Sequence, residues 1–204
     1  LLPAKGGVSG FDCGPGNCLM DGWTKRHLQK AYDNEGRWAS KGEIDSQLLS
    51  HLLSDHYFSM SPPKSTGLEY FNLPWLDQQL GEKPPVAVDI QATLAELSAQ
   101  SIALGLAEGG LPDRLVVCGG GVHNVFLMRR IAAALPDVVV ESTANHGTDP
   151  DWVEGLLFAW LARERLAERQ QDTTAITGAD QPVLLGDIHE PPGIDLSSTY
   201  VTST

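Results

Sequence analysis

The sequence predicts an α/β protein: a mostly parallel, mixed sheet flanked by helices. Three observations carry this. Leu115-Val116-Val117-Cys118 is a short apolar run that leads into Gly119-Gly120-Gly121 and then into a helical pattern over Val125 to Leu135. Strand, glycine turn and helix in that order are the layout of a parallel α/β unit. Val138-Val139-Val140 repeats the strand signal and precedes a second helical pattern starting near Pro150. Between the termini, Ile90 to Glu108 carries Leu94, Leu97, Ile102, Leu104 and Leu106 at helical spacing, the strongest single helix signal in the chain.

From the start, Gly10-Phe11-Asp12-Cys13-Gly14-Pro15-Gly16-Asn17 sets one acid between an apolar run-in and a tight turn. Gly14 and Gly16 lack side chains where a ligand could approach the backbone, and Pro15 fixes the local geometry. Cys18 to Leu28 then reads as a helix through Leu19, Met20, Trp23 and Leu28. A glycine turn opening a helix offers N–H groups and a positive dipole end, which suits phosphate. Asp12 in such a turn either takes a proton, holds a metal, or only satisfies backbone donors. Ala31 to Glu43 is a polar loop with a short helix near Trp38, and Ile44 to Leu53 is an amphipathic helix ended by Asp55 to Pro63. Pro63-Lys64-Ser65-Thr66-Gly67 gathers hydroxyls, a lysine and a glycine, either in a loop or at a helix start capped by Ser65 or Thr66 with Glu69 in the first turn. Trp75 and Leu76 begin a short helix, and Gly81 to Val88 is an exposed connection.

Thr93 is placed to cap the long helix, which ends at Gly109-Gly110 before Pro112. The glycine run at Gly119 is neither a GxGxxG nor a Walker pattern, so it serves either a nucleotide or a plain strand-to-helix turn. Asp149, Pro150 and Asp151 read as N-cap, first helical residue and dipole partner of a helix to about Arg169. Trp152, Val153, Leu156, Leu157, Trp160 and Leu161 form its apolar face, with Glu154 close by, in a cleft or in solvent. Val183 to Ile188 reads as a last strand and Pro191 to Thr204 as a loose tail.

At 204 residues, with 42% hydrophobic and 20% charged residues, the chain can bury a core. A formal charge of -12 without a basic stripe excludes a nucleic-acid surface. No apolar run is long enough to span a bilayer. Cys13, Cys18 and Cys118 are odd in number and scattered, which fits a reducing cytoplasm better than a disulfide framework. Cys13, Cys18 and His27 match no common zinc spacing, so no metal ligand is assigned. The start, Leu1-Leu2-Pro3-Ala4-Lys5, reads as the interior of a longer protein.

Five segments now fall into a fixed order: Gly10 to Asn17, Pro63 to Gly67, Asp89-Ile90-Gln91-Ala92-Thr93-Leu94, Val117 to Gly121, and Glu154 with Phe158-Ala159-Trp160-Leu161-Ala162. That order resembles the C-terminal part of the anhydro-N-acetylmuramic acid kinase family. The resemblance implies one lobe of an actin-like ATPase (ribonuclease H-like) fold over residues 1–190, a loose tail at 191–204, and an N-terminal lobe absent from this chain. It implies hydrolysis of the 1,6-anhydro ring of anhydro-N-acetylmuramic acid and phosphorylation of O6, with ATP and Mg2+, in cell-wall sugar recycling. Carried over, Asp12 matches the catalytic base. Gly14, Gly16 and Asn17 match the phosphate loop, and Gly119, Gly120, Gly121 and Asn124 the adenosine segment. Glu154 matches an acid facing the sugar. Two departures stand out: Leu68 occupies a position often held by arginine, and the family's Gly-Thr-Ser-x-Asp-Gly-x-Asp loop is missing. The isolated chain is therefore expected to be inactive. An apolar helix face could pair two copies, and the family precedent implies a homodimer. The alternative reading is a non-catalytic interaction or regulatory module of the same superfold; an acid-pair hydrolase using Asp12 and Glu154 would leave the Gly119 run unexplained.

Overall fold

The computed structural model describes residues 1–2 and 7–189. The tail expected at 191–204 lies outside the described residues. The chain is mixed α/β, with a small sheet and helices packed around one long helix. That helix, α5 (Ala87–Glu108), contacts α1 (Cys18–Leu28), α2 (Ser46–Leu53) and α6 (Val125–Ala134). Strands β1 (Arg114–Val117) and β2 (Val139–Ser142) pair in parallel, Leu115 opposite Val140. The crossover between them is the glycine turn plus α6, as a parallel pair requires.

The first half of α5 is buried on every side from Ile90 to Ala99, rather than along one apolar stripe. Alanines at 92, 95 and 99 let neighbours approach, and the polar residues find partners. Gln91 Nε2 donates to Thr24 Oγ1 at 3.0 Å, and Glu96 accepts from Arg130 Nε at 2.5 Å and Gln100 Nε2 at 2.7 Å. Paired in this way, a buried carboxylate is tolerated. The helix begins at Ala87, three residues before the expected start, and Thr93 is not its cap. Thr93 Oγ1 donates to the Asp89 carbonyl at 2.7 Å and accepts from Asp45 N–H at 2.9 Å, tying α5 to the start of α2.

One stripe of α5 seats the Gly10–Asn17 loop. Ser98 Oγ donates to the Gly16 carbonyl. A side chain at Gly14 would meet Ser101 Oγ at 2.6 Å, and one at Gly105 would meet Cys13 Cβ at 2.8 Å. Positions 98, 101 and 105 are three and four apart, one helical face, so small residues there form a track for the loop.

Two other expectations are corrected. Val183 to Ile188 is not a strand: among the described residues only an isolated antiparallel bridge, Gln171 to Val183, forms there. Arg165 Nε donates to the Gly186 carbonyl at 2.8 Å, so this segment is held from the side by a helix. The stretch after Asp55 contains a one-turn helix, α3 (His56–Ser59), capped by Asp55, where a simple break was read.

After a short 3-10 turn at Pro150–Trp152, α7 (Val153–Leu166) continues the chain. Asp149 caps the turn by accepting from Asp151 N–H at 3.0 Å, as read. Its apolar residues Trp152, Leu156, Leu157, Phe158 and Trp160 are exposed among the described residues, not packed on the core. No described helix is long and apolar enough to cross a membrane.

Candidate functional site

Asp12 stands at the mouth of the loop that α5 carries. Its main chain is fixed on two sides: Asp12 N–H donates to the Lys64 carbonyl at 3.2 Å, and Tyr57 Oη donates to the Asp12 carbonyl at 2.7 Å. Its carboxylate is held by one oxygen only. Oδ2 accepts from Ser65 Oγ at 2.8 Å and from Thr66 N–H at 2.9 Å. Oδ1 takes no hydrogen bond among the described residues. A carboxylate held by one oxygen keeps the other able to accept a hydrogen bond or a proton. Asp12, Phe11, Lys64 and Ser65 line a cleft of about 460 Å³.

Ser65 and Thr66 therefore start no helix; their donors go to Asp12, and only a turn follows, with Phe71 N–H on the Gly67 carbonyl at 3.1 Å. The capping role open to Ser65 or Thr66 from the sequence is not the one they take. The signal lay in tertiary pairing across 53 residues, which no local pattern carries.

Asp55 supports the same region. It accepts from Tyr57 N–H at 2.9 Å, Tyr70 Oη at 2.6 Å and Trp75 Nε1 at 2.9 Å. Burial pushes this acid upward, but the bonds from Tyr70, Tyr57 and Trp75 outweigh it and hold Asp55 below the usual carboxylate range. Tyr70 is pushed up to about 12, first by its bond to Asp55 and then by burial. Tyr57 is pushed up to about 12, first by burial and then by the Asp12 charge. A tyrosine raised in the folded state adds stability that is complete below about pH 10 and disappears as pH rises through about 12. Tyrosinate absorbance at 295 nm, read directly after a pH jump, is expected to show a component near pH 12. Asp55→Asn should move part of it toward pH 10; a single transition near 10 in the parent would contradict this.

A second cleft, of about 770 Å³, gathers Asn17, Gly120, Gly121 and Asn124 with Asp21, His123 and Asp151. A side chain at Gly121 would approach Asn17 Oδ1 to 3.6 Å, while one at Gly120 would meet nothing within 4 Å. Asn124 caps α6 by accepting from Leu127 N–H at 2.9 Å. Gly119 has φ +79°, and its N–H donates to the Pro150 carbonyl at 2.9 Å, joining the glycine turn to the start of α7. His123 Nε2 lies 2.9 Å from Asp151 Oδ2, a pair that the sequence reading passed over. Burial pushes Asp21 upward against a 3.0 Å hydrogen bond from Asn17 Nδ2. Acids lining a cleft repel anions but can accept from hydroxyl and amine donors. Among the described residues no group of three or more His, Cys, Asp or Glu is placed to hold a metal ion.

Five of the predicted residues thus line two clefts joined by the loop, and Gly14, Gly16, Gly119 and Glu154 line neither. Asn17, Gly120, Gly121 and Asn124 share one; Asp12 lines the other. Gly14 lines a small recess beside Asp12 with Pro15, Thr66 and Gly67. Gly14 is a glycine because Ser101 and Phe58 fill the side-chain space, while Gly16 (φ +55°) is open and exposed. Glu154 stands exposed in the first turn of α7 and lines neither cleft.

A family model described as anhydro-N-acetylmuramic acid kinase matches residues 1–191. The chain belongs to that family. It is 49% identical over 190 residues to the anhydro-N-acetylmuramic acid kinase of Xanthomonas oryzae pv. oryzae, covering 93% of this chain and 50% of that protein. It is 50% identical over 191 residues to that of Pseudomonas fluorescens, covering 93% of this chain and 53% of the relative. The Xylella fastidiosa kinase is 45% identical over 190 residues, again 93% of this chain and 50% of the relative. The chain spans about half the length of the curated relatives it matches.

Proposed function

We propose that this chain is the nucleotide- and sugar-binding lobe of a cytoplasmic anhydro-N-acetylmuramic acid kinase with the actin-like ATPase fold, its other lobe lying outside these residues. Half-length coverage of the relatives and the exposed apolar face of α7 support the lobe reading. The observation that carries the chemistry is the singly anchored Asp12 carboxylate in its cleft.

Asp12 Oδ1 takes a proton from water as the water oxygen bonds to the anomeric carbon. The bond from that carbon to O6 breaks, and O6 bonds to the γ-phosphorus as the bond to the ADP oxygen breaks. Asp12 then returns its proton to solvent. Ser65 and Thr66 keep the carboxylate aimed throughout. Gly14 and Gly16 serve the phosphates; Asn17, Gly119, Gly120, Gly121 and Asn124 serve the nucleoside. Glu154, outside both clefts, has no part in these steps. Mg2+ bound with ATP would neutralise phosphate charge and needs few protein ligands.

Isothermal titration of this chain with ADP and then with the anhydro sugar tests the reading. Heat with ADP and no turnover in a coupled ADP-release assay are expected. No heat with either ligand favours a non-catalytic module; robust turnover refutes the single-lobe reading.

A further inference from the structure

Lys64 is the residue that the proposed chemistry leaves without a task. Its side chain is buried, with the residue 8% exposed. Its Nζ lies 5.3 Å from the Tyr57 ring centroid and 5.9 Å from that of Phe11. Among the described residues it makes no ion pair and no side-chain hydrogen bond. Other cations near the core do: Arg130 is paired with Glu96, and Arg163 and Arg169 with Glu164. Asp12 is the obvious partner, next in sequence to Cys13, whose thiol burial pushes up and Lys64 pulls down, yet Asp12 Oδ2 is turned to Ser65 and Thr66. Aromatic faces offset only part of the loss of water around a buried ammonium. The lysine's main chain is tied to the same site, its carbonyl accepting from Asp12 N–H at 3.2 Å.

We propose that Lys64 binds an oxyanion of the reactants in the Asp12 cleft. The cleft is lined by Asp12, Lys64 and Ser65, with Phe11, Pro63 and Ile176 as an apolar wall suited to a sugar face. An anion bound there completes the pairing that the described residues leave open. Two reactant groups share this chemistry: the phosphoryl group in transfer and the carboxylate of the muramic acid. The choice between them rests on the kinase reading; anion binding at Lys64 does not.

The test is amide NMR of this chain, titrated separately with sodium phosphate, sodium D-lactate and ADP. Saturable shifts at Asp12, Lys64 and Ser65 with phosphate or with lactate are expected. Phosphate alone assigns the phosphoryl group, and lactate alone assigns the carboxylate. Lys64→Met should keep the fold and weaken that anion at least tenfold; Lys64→Arg should keep saturable binding. No saturable shift with either anion in the parent chain overturns the proposal whether or not the variants fold, and so does unchanged binding in Lys64→Met. ADP shifts at Gly120 and Gly121 report the nucleotide site independently. Anion shifts without ADP shifts leave Lys64 standing and remove the nucleotide reading; the reverse removes Lys64 alone.

Discussion

Replacing Asp12 by Asn in the complete enzyme is expected to lower kcat about 10³-fold, the usual size of a lost general base, with the fold intact. The amide oxygen of Asn can still accept from Ser65 Oγ and Thr66 N–H, so both anchoring bonds survive. What is lost is the charge and the lone pair on the bare side that would take the proton. Because residue 12 is exposed, the change in stability should stay within about 0.5 kcal/mol. The coupled ADP-release assay with the anhydro sugar, run beside a urea melt, separates the two effects. Activity within tenfold of the parent would remove Asp12 from the mechanism. Equal loss of activity and stability would make it a structural residue.

The second large effect is expected at Gly36, the last residue of a 3-10 turn at Asn34–Gly36. Its φ is +69°, and a side chain there would meet Asn124 Oδ1 at 2.2 Å and Phe126 Cβ at 2.5 Å. Gly36→Ala combines a left-handed backbone penalty with overpacking, together about 3 kcal/mol. The clash falls on the residue that caps α6, so the cleft around Gly120 should deform with it. Urea denaturation is expected to show the loss, and ADP titration a weaker heat. Gly120→Ala is the control: nothing lies within 4 Å of the added carbon, so stability should be unchanged. A Gly36→Ala protein as stable as the parent would mean that the turn moves freely away from α6.

Legibility followed locality. Helix α1 begins at Cys18 and ends at Leu28 as read, because its apolar spacing and flanking glycine turn are contained in one stretch. The Leu115 strand, the glycine turn and α6 came through for the same reason. Thr93 misled because a hydroxyl near a helix start has the same local signature whether it caps the helix or bridges to another element; Asp45 decided which. Val183 to Ile188 misled because an apolar run becomes a strand only if a neighbouring strand is there to pair with it.

The candidate site divides in the same way. The sequence by itself determined that one acid sits in a glycine-proline turn before a helix, that a triple glycine links a strand to another helix, and that these motifs stand in the order of a kinase family. Those are properties of chain neighbours and their spacing. Only the tertiary structure decided that Ser65 and Thr66 aim Asp12, that Gly14 and Gly105 are small so that the loop can lie on α5, and that Lys64 is buried near two rings with no carboxylate paired to it among the described residues. Hydrogen bonds, close packing and burial depend on distances of a few ångströms between residues tens of positions apart. Those distances exist only once the chain has closed on itself.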